Sequence, residues 1–186
     1  MNILLVFCHP REESLTGDVA RAFQEGAIRS GHTVEFVDLY RENFDPVLTV
    51  EDMYTNGNLS DYSTEVQSEF LRLNRNNAVV MVFPLWWWSM PAMLKGWIDR
   101  VWNYGLTHGP AHHNITKGLI ITLAAVTKDQ LEKRSYSDAM QICLETGILD
   151  YNGIPETKLV IMDDTSGGPE QHEKHVSASF QMGEEF

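Results

Sequence analysis

Two short stretches carry residue types suited to binding and chemistry. The first is "CHPREESLTGD", Cys8 to Asp18, where His9, Ser14 and Thr16 precede a helical pattern. The start of a helix has free N–H groups and a positive dipole end, which suit a phosphate. Hydroxyls at Ser14 and Thr16 add side-chain donors, and His9 can donate to the same group. The simpler reading is that Ser14 or Thr16 caps the helix and His9 sits in a turn before Pro10. The second stretch is "FPLWWWSMPAMLKGW", Phe83 to Trp97. It holds four of the chain's five tryptophans in 15 residues, three of them consecutive. Successive residues of an extended loop point in different directions, so the three indoles cannot share one face. One is expected to pack inward and at least one to line a cleft. A flat aromatic wall suits a flat, conjugated ligand, and stacking adds ~1 kcal/mol beyond area burial. A flavin fits that description; a dimer interface or ordinary core packing is the alternative.

The elements around these stretches must position them. Ile3 to Cys8, Thr33 to Leu39, Ala78 to Pro84, Gly118 to Val126 and Lys158 to Asp164 read as five apolar, β-forming strands. Helical patterns cover Thr16 to Ser30, Ser63 to Arg75, Pro91 to about Trp102 and Lys128 to Glu145, with a short helix around Pro169 to Phe180. Tyr40 to Tyr62 reads as polar and irregular. Strands alternating with helices give a three-layer α/β sandwich on a largely parallel sheet. The Rossmann-like and flavodoxin-like strand orders are both open. Both place ligands beyond the carboxyl ends of the strands, which is where the two stretches fall. In the helix after Pro91, Met93, Leu94, Trp97, Ile98, Val101 and Trp102 form an apolar stripe for the core or a subunit interface. Lys95, Asp99 and Arg100 are expected on the solvated face. Gly96 points to close approach of another backbone, that of a partner subunit included.

Bulk properties narrow the function. The chain has 186 residues, 43% hydrophobic and 22% charged, with a formal net charge of −12. One domain, residues 1–186, is expected. The acidic balance argues against nucleic acid and against anionic lipid. No run approaches the ~18 apolar residues of a membrane span. The apolar start "MNILLVFCHP" reads as a buried strand without a charged leader, so a cytoplasmic location is expected. There is no G-x-G-x-x-G and no Walker pattern. Cys8 and Cys143 read as small buried hydrophobes.

"HPREESLT" together with "FPLWWWSMPAMLKGWIDRVW" resembles the NAD(P)H:quinone oxidoreductase family, the DT-diaphorase-like enzymes, including ancillary oxidoreductases of bacterial potassium-efflux systems. The positions that carry the resemblance are Pro84, Leu85, Trp87, Trp88, Pro91, Leu94, Lys95, Trp97, Asp99, Arg100 and Val101. The likeness weakens towards Val126 and is slight after it. It implies a flavodoxin-like fold with a five-stranded parallel sheet, a bound FAD or FMN, NADPH or NADH as electron donor, and a homodimer. By position, His9, Ser14, Leu15 and Thr16 would hold the cofactor's phosphates and adjoining chain. Pro84, Leu85, Trp86, Trp87 and Trp88 would run along the isoalloxazine. The family's "TTGG" loop is replaced by Leu123, Ala124, Ala125 and Val126. Alanine tolerates φ > 0 less well than glycine, so this loop departs from the pattern.

The family's active-site Tyr has Tyr136 as its nearest counterpart, and its His has none between Lys117 and Gln171. The segment "YGLTHGPAHHN", Tyr104 to Asn114, reads either as a solvated loop or as a source of groups for cofactor or substrate in His108, His112 and His113, with His108 the catalytic candidate. No carboxylate or cysteine stands at ligand spacing with these histidines, so no metal is expected. The expected function is hydride transfer from NAD(P)H through bound flavin to a quinone or similar small acceptor. The alternative is a regulatory flavoprotein subunit that docks on a membrane transporter.

Overall fold

A computed structural model describes residues 1–53, 57–110 and 113–186. Its centre is a sheet of five parallel strands: β1 (Asn2–Phe7), β2 (Thr33–Asp38), β3 (Ala78–Pro84), β4 (Lys117–Leu123) and β5 (Glu156–Met162). The strand order is β2-β1-β3-β4-β5. That is the flavodoxin-like order, which settles the choice left open above. The residues of β1 alternate between two cores. Leu4, Val6 and Cys8 join Trp97, Leu94 and Val101 on one face. Ile3, Leu5 and Phe7 join Val19, Phe23 and Ala27 on the other. A central strand buried on both faces must be apolar at every position, which is why β1 and β3 read as continuous runs.

Helices α1 (Leu15–Arg29) and α6 (Pro169–Glu185) cover the second face. They pack backbone to backbone. A Cβ on Gly26 would stand 2.0 Å from the Phe180 carbonyl oxygen, and one on Gly183 would stand 2.2 Å from that of Phe23. The Ser179 hydroxyl donates to the Val19 carbonyl at 2.7 Å, and the Ser30 hydroxyl to that of Glu184 at 2.7 Å. This docking extends α6 well past the short helix the polar tail suggests, because the tail's small residues matter more there than its apolar content.

The other face carries α2 (Thr64–Asn74) and α3 (Ala92–Val101). Two features of α3 differ from expectation. Gly96 makes its close approach within the chain, since a Cβ there would lie 2.2 Å from the Pro46 carbonyl oxygen. Arg100 is buried, not solvated. Its guanidinium pairs with Asp52 at 2.7 Å, reaches Glu65, and lies over the Phe44 ring. A carboxylate from the irregular segment after β2, Asp52, and one from the first turn of α2, Glu65, thus pull a nominally exposed arginine inward. Lys95 and Asp99 do pair on the exposed face.

The long helix expected over Lys128 to Glu145 is broken. It consists of α4 (Lys128–Glu132), α5 (Tyr136–Met140) and a π-helical continuation, Gln141–Asp150. The break falls at Ser135, whose φ is +54°. β4 stops at Leu123, three residues earlier than its apolar run suggests, because Ala124–Val126 turn to meet the loop after β5. Cys8 is buried as expected, and burial pushes its thiol pKa up to about 12; Cys143 is exposed instead. No helix among the described residues is long and apolar enough to cross a membrane.

Candidate functional site

The carboxyl ends of β1, β3 and β4 bring the two opening stretches together. After β1, the Ser14 side chain accepts from the Gly17 N–H at 3.2 Å and donates to the Arg11 carbonyl at 3.0 Å. Ser14 is therefore the N-cap of α1, as the simpler reading held, and it fixes the loop in doing so. Gly17 is needed because a Cβ there would lie 2.2 Å from the Glu12 carbonyl oxygen. Thr16 is buried and Leu15 half-buried. His9 has its Nδ1 2.7 Å from the Arg11 carbonyl oxygen and 3.0 Å from the Arg11 nitrogen. That leaves Nε2 as the ring nitrogen open to a ligand.

After β3, Pro84 is buried, and the Leu85 N–H adds one more rung to the ladder by donating to the Leu123 carbonyl at 2.8 Å. Trp86 and Ser89 then exchange two backbone hydrogen bonds, 3.0 and 3.1 Å. Between them Trp87 and Trp88 form a two-residue turn with φ of +51° and +62°. This is the primed turn that normally takes Asn-Gly. Two tryptophans there cost about 1–2 kcal/mol each in backbone strain. Such strain persists only where its surroundings impose it, and it clusters at binding sites.

The turn answers how three adjacent indoles are divided. Trp88 is half-buried and stacks on Tyr136, ring centroids 3.7 Å apart and planes 15° apart. Trp86 sits 6.2 Å from the His9 ring, which ties the loop after β3 to the loop after β1. Trp87 is 94% exposed. It lines a cleft of about 210 Å³ with Leu85, Trp88, Ala124, Ala125 and Val126. The cleft lies beyond the carboxyl ends of β3 and β4, beside the β1/β3 switch point where open α/β sheets take their ligands.

Neither Ala124 nor Ala125 has positive φ, so alanines replace the family's glycines without strain. The Ala124 N–H donates to the Met162 carbonyl, while the Thr165 and Asp164 N–H groups donate to the carbonyls of Ala124 and Val126. The loop after β5 therefore buttresses this edge of the cleft. His172 and His175 on α6 hold that loop in turn, through the Thr165 carbonyl at 2.9 Å and the Asp163 carbonyl at 2.8 Å. Sequence reading gave these residues no role. The "SGGP" before α6 was the available signal that a tight loop stands there. Among the described residues, the backbone N–H groups of Trp87, Trp88 and Ala125 have no intramolecular acceptor. An aromatic wall beside free N–H donors fits a flat ring with an electron-rich polar edge.

The candidate catalytic residues part company. Tyr136 is at the cleft through its stack on Trp88. His108 lies elsewhere in the same chain, between the rings of Tyr104 and Tyr151, at 5.8 and 5.7 Å. Tyr151 leads into the amino end of β5, away from the carboxyl-end loops. His113 holds the Asn152 carbonyl there at 2.8 Å; His112 is outside the described residues.

Comparison with known proteins agrees with this architecture. The chain is 49% identical over 111 residues to an uncharacterized NAD(P)H oxidoreductase, YcaK, of Escherichia coli, covering 59% of this chain and 57% of that one. It is 30% identical over 115 residues to a human ribosyldihydronicotinamide dehydrogenase [quinone], covering 53% and 50%. The match thus spans about half the length of these curated relatives. An NAD(P)H:quinone oxidoreductase from Methanothermobacter marburgensis superposes with a TM-score of 0.92 at 29% identity, over 99% of this chain and 96% of that one. The family model described as flavodoxin-like fold matches residues 1–184. With its sheet order and this match over nearly the whole chain, the chain belongs to the flavodoxin-like fold family.

Proposed function

We propose that the protein is a flavin-dependent NAD(P)H oxidoreductase that passes a hydride from NAD(P)H, through bound flavin, to a quinone or similar small acceptor. The observation that carries this reading is the cleft at the ends of β3 and β4, walled by Trp87 and Trp88 and edged by free backbone N–H groups. The names of the relatives support it and favour catalysis over a regulatory subunit.

In this reading a bound FAD or FMN supplies hydride acceptance and two-electron delivery. The chain's own groups bind and orient. The first turn of α1 and the Nε2 of His9 face the phosphates. Leu85 to Trp88 hold the ring system flat. The N–H groups of Trp87, Trp88 and Ala125 stabilise negative charge at its polar edge. The Tyr136 phenol, held by its stack on Trp88, is a side chain at the cleft able to donate a proton. The exposed Val47, Leu48, Val50 and Met53, anchored by the buried Arg100–Asp52 pair, supply an apolar face for a homodimer. Anaerobic mixing of the flavin-loaded protein with NADH or NADPH tests the reading. Bleaching of the flavin bands followed by rapid recovery on adding a quinone is expected. A flavin that neither donor reduces contradicts it.

A further inference from the structure

The chain's cations are unevenly employed. Among the described residues, all of the 14 Lys and Arg side chains but Arg11, Lys133, Arg134 and Lys158 lie within ion-pair distance of a carboxylate. Lys158 is on β5, level with Leu119 towards the amino ends of the strands. The other three are exposed and belong to the carboxyl-end loops. Arg11 is in the loop after β1 that carries His9. Lys133 and Arg134 form the link between α4 and α5.

The far end of that link is tied to the cleft, and the chain that leads into α4 starts from it. Val126 lines it, and Tyr136 stacks on Trp88. Two residues span at most about 7 Å, so the Arg134 backbone cannot lie farther than that from the Tyr136 backbone. The positive φ at Ser135 turns the chain sharply between them. A protein of net charge −12 repels an anionic nucleotide. Although Asp129, Glu132 and Asp138 balance the charge of this segment, Lys133 and Arg134 keep exposed donors without an ion-pair carboxylate near one cleft, where such a ligand can use them. Arginine adds a planar fork of donors matched to phosphate oxygens.

Building on the oxidoreductase reading, we infer that Lys133 and Arg134 bind the phosphates of the dinucleotide donor and so select phosphorylated nicotinamides over the bare riboside. Arg11 is left to the phosphate of the group held by the α1 loop. Lys133 and Arg134 contribute to donor capture and not to the hydride step itself.

The test compares the parent with the Lys133→Ala/Arg134→Ala double variant. A Lys95→Ala/Lys174→Ala variant removes two equally exposed charges elsewhere. Calorimetric binding of NADP⁺ and NAD⁺ is measured alongside KM for NADPH, NADH and reduced nicotinamide riboside. The double variant is expected to lose about tenfold in dinucleotide affinity, as for two solvent-exposed ion pairs. The control and the riboside KM stay as in the parent, and the difference shrinks as salt is raised. A loss confined to NADP⁺ assigns the contact to the 2′-phosphate; an equal loss with NAD⁺ assigns it to the pyrophosphate. Unchanged dinucleotide affinity overturns the inference. So does an equal rise in riboside KM, which indicates a disturbed Tyr136, or an equal loss in the control. Failure of every donor to reduce the parent's flavin counts against the oxidoreductase reading instead, and the calorimetry still decides the phosphate contact. Arg134→Gln alone, a milder change, is expected to show the same pattern at smaller size.

Discussion

The ring of Tyr136 lies face to face with the indole of Trp88, 3.7 Å between centroids and 15° between planes. Each partner stands beside a residue held at positive φ, Ser135 on one side and Trp87 on the other. The stack thus joins two locally strained turns into one rigid wall. An aromatic pair of this kind contributes ~1 kcal/mol beyond its area. Tyr136→Ala is therefore expected to weaken flavin retention roughly fivefold, with Tyr136→Phe close to the parent. Equilibrium dialysis of flavin against the three proteins checks this.

Trp87 separates binding from stability. Its side chain is 94% exposed while its backbone is strained. Trp87→Asn, which tolerates the left-handed conformation, is expected to keep stability or raise it by up to about 1 kcal/mol. Flavin affinity should fall in the same variant. Trp102→Ala should do the reverse, since Trp102 is buried against Trp97. Urea melts paired with flavin titrations of both variants decide the matter.

These residues show how far the sequence could be read. The strands, the sandwich and the two carboxyl-end loops follow from apolar runs and from where those runs end. Ala124 and Ala125, read as replacing the family's glycines, line the cleft. Their departure from a glycine pattern implied strain that the structure lacks, because backbone angles are not written in residue type alone. The burial of Arg100 was hidden because its partner Asp52 is 48 residues away, in a segment without periodicity. The break at Ser135 was hidden because no proline or glycine marks it. The role of His172 and His175 was hidden because both act through carbonyl groups of another loop.

The Arg100–Asp52 pair gives a prediction in pH. Burial alone would raise the Asp52 pKa, but hydrogen bonds from the Ser63 N–H and the Arg100 guanidinium outweigh it and hold the carboxyl below its usual range. A folded pKa below the unfolded one stabilises the fold fully above the unfolded value, about 3.9. The contribution is lost as pH falls through the folded value. Asp52→Asn is expected to cost about 3 kcal/mol at neutral pH, because it leaves a buried charge short of its partner. The gap from the parent should close in acid. Urea denaturation of both proteins across that range reads it directly.

The α1–α6 contact predicts a steric effect with no charge in it. A side chain at position 183 meets the Phe23 carbonyl oxygen, which α1 cannot move without losing its own hydrogen bonds. Gly183→Val is expected to destabilise the protein by about 2 kcal/mol or more. Thermal melts at one protein concentration check it, and an unchanged Tm would show that the helices can part freely.

The central claim is that the cleft beside Trp87 and Trp88 holds a flavin. Protein purified without added cofactor, then denatured and analysed by mass spectrometry, tests it most directly. The account predicts release of FMN or FAD approaching one per chain, sharply reduced in Trp87→Asn. Parent protein that releases no flavin, and takes up neither FMN nor FAD when they are supplied, would contradict it.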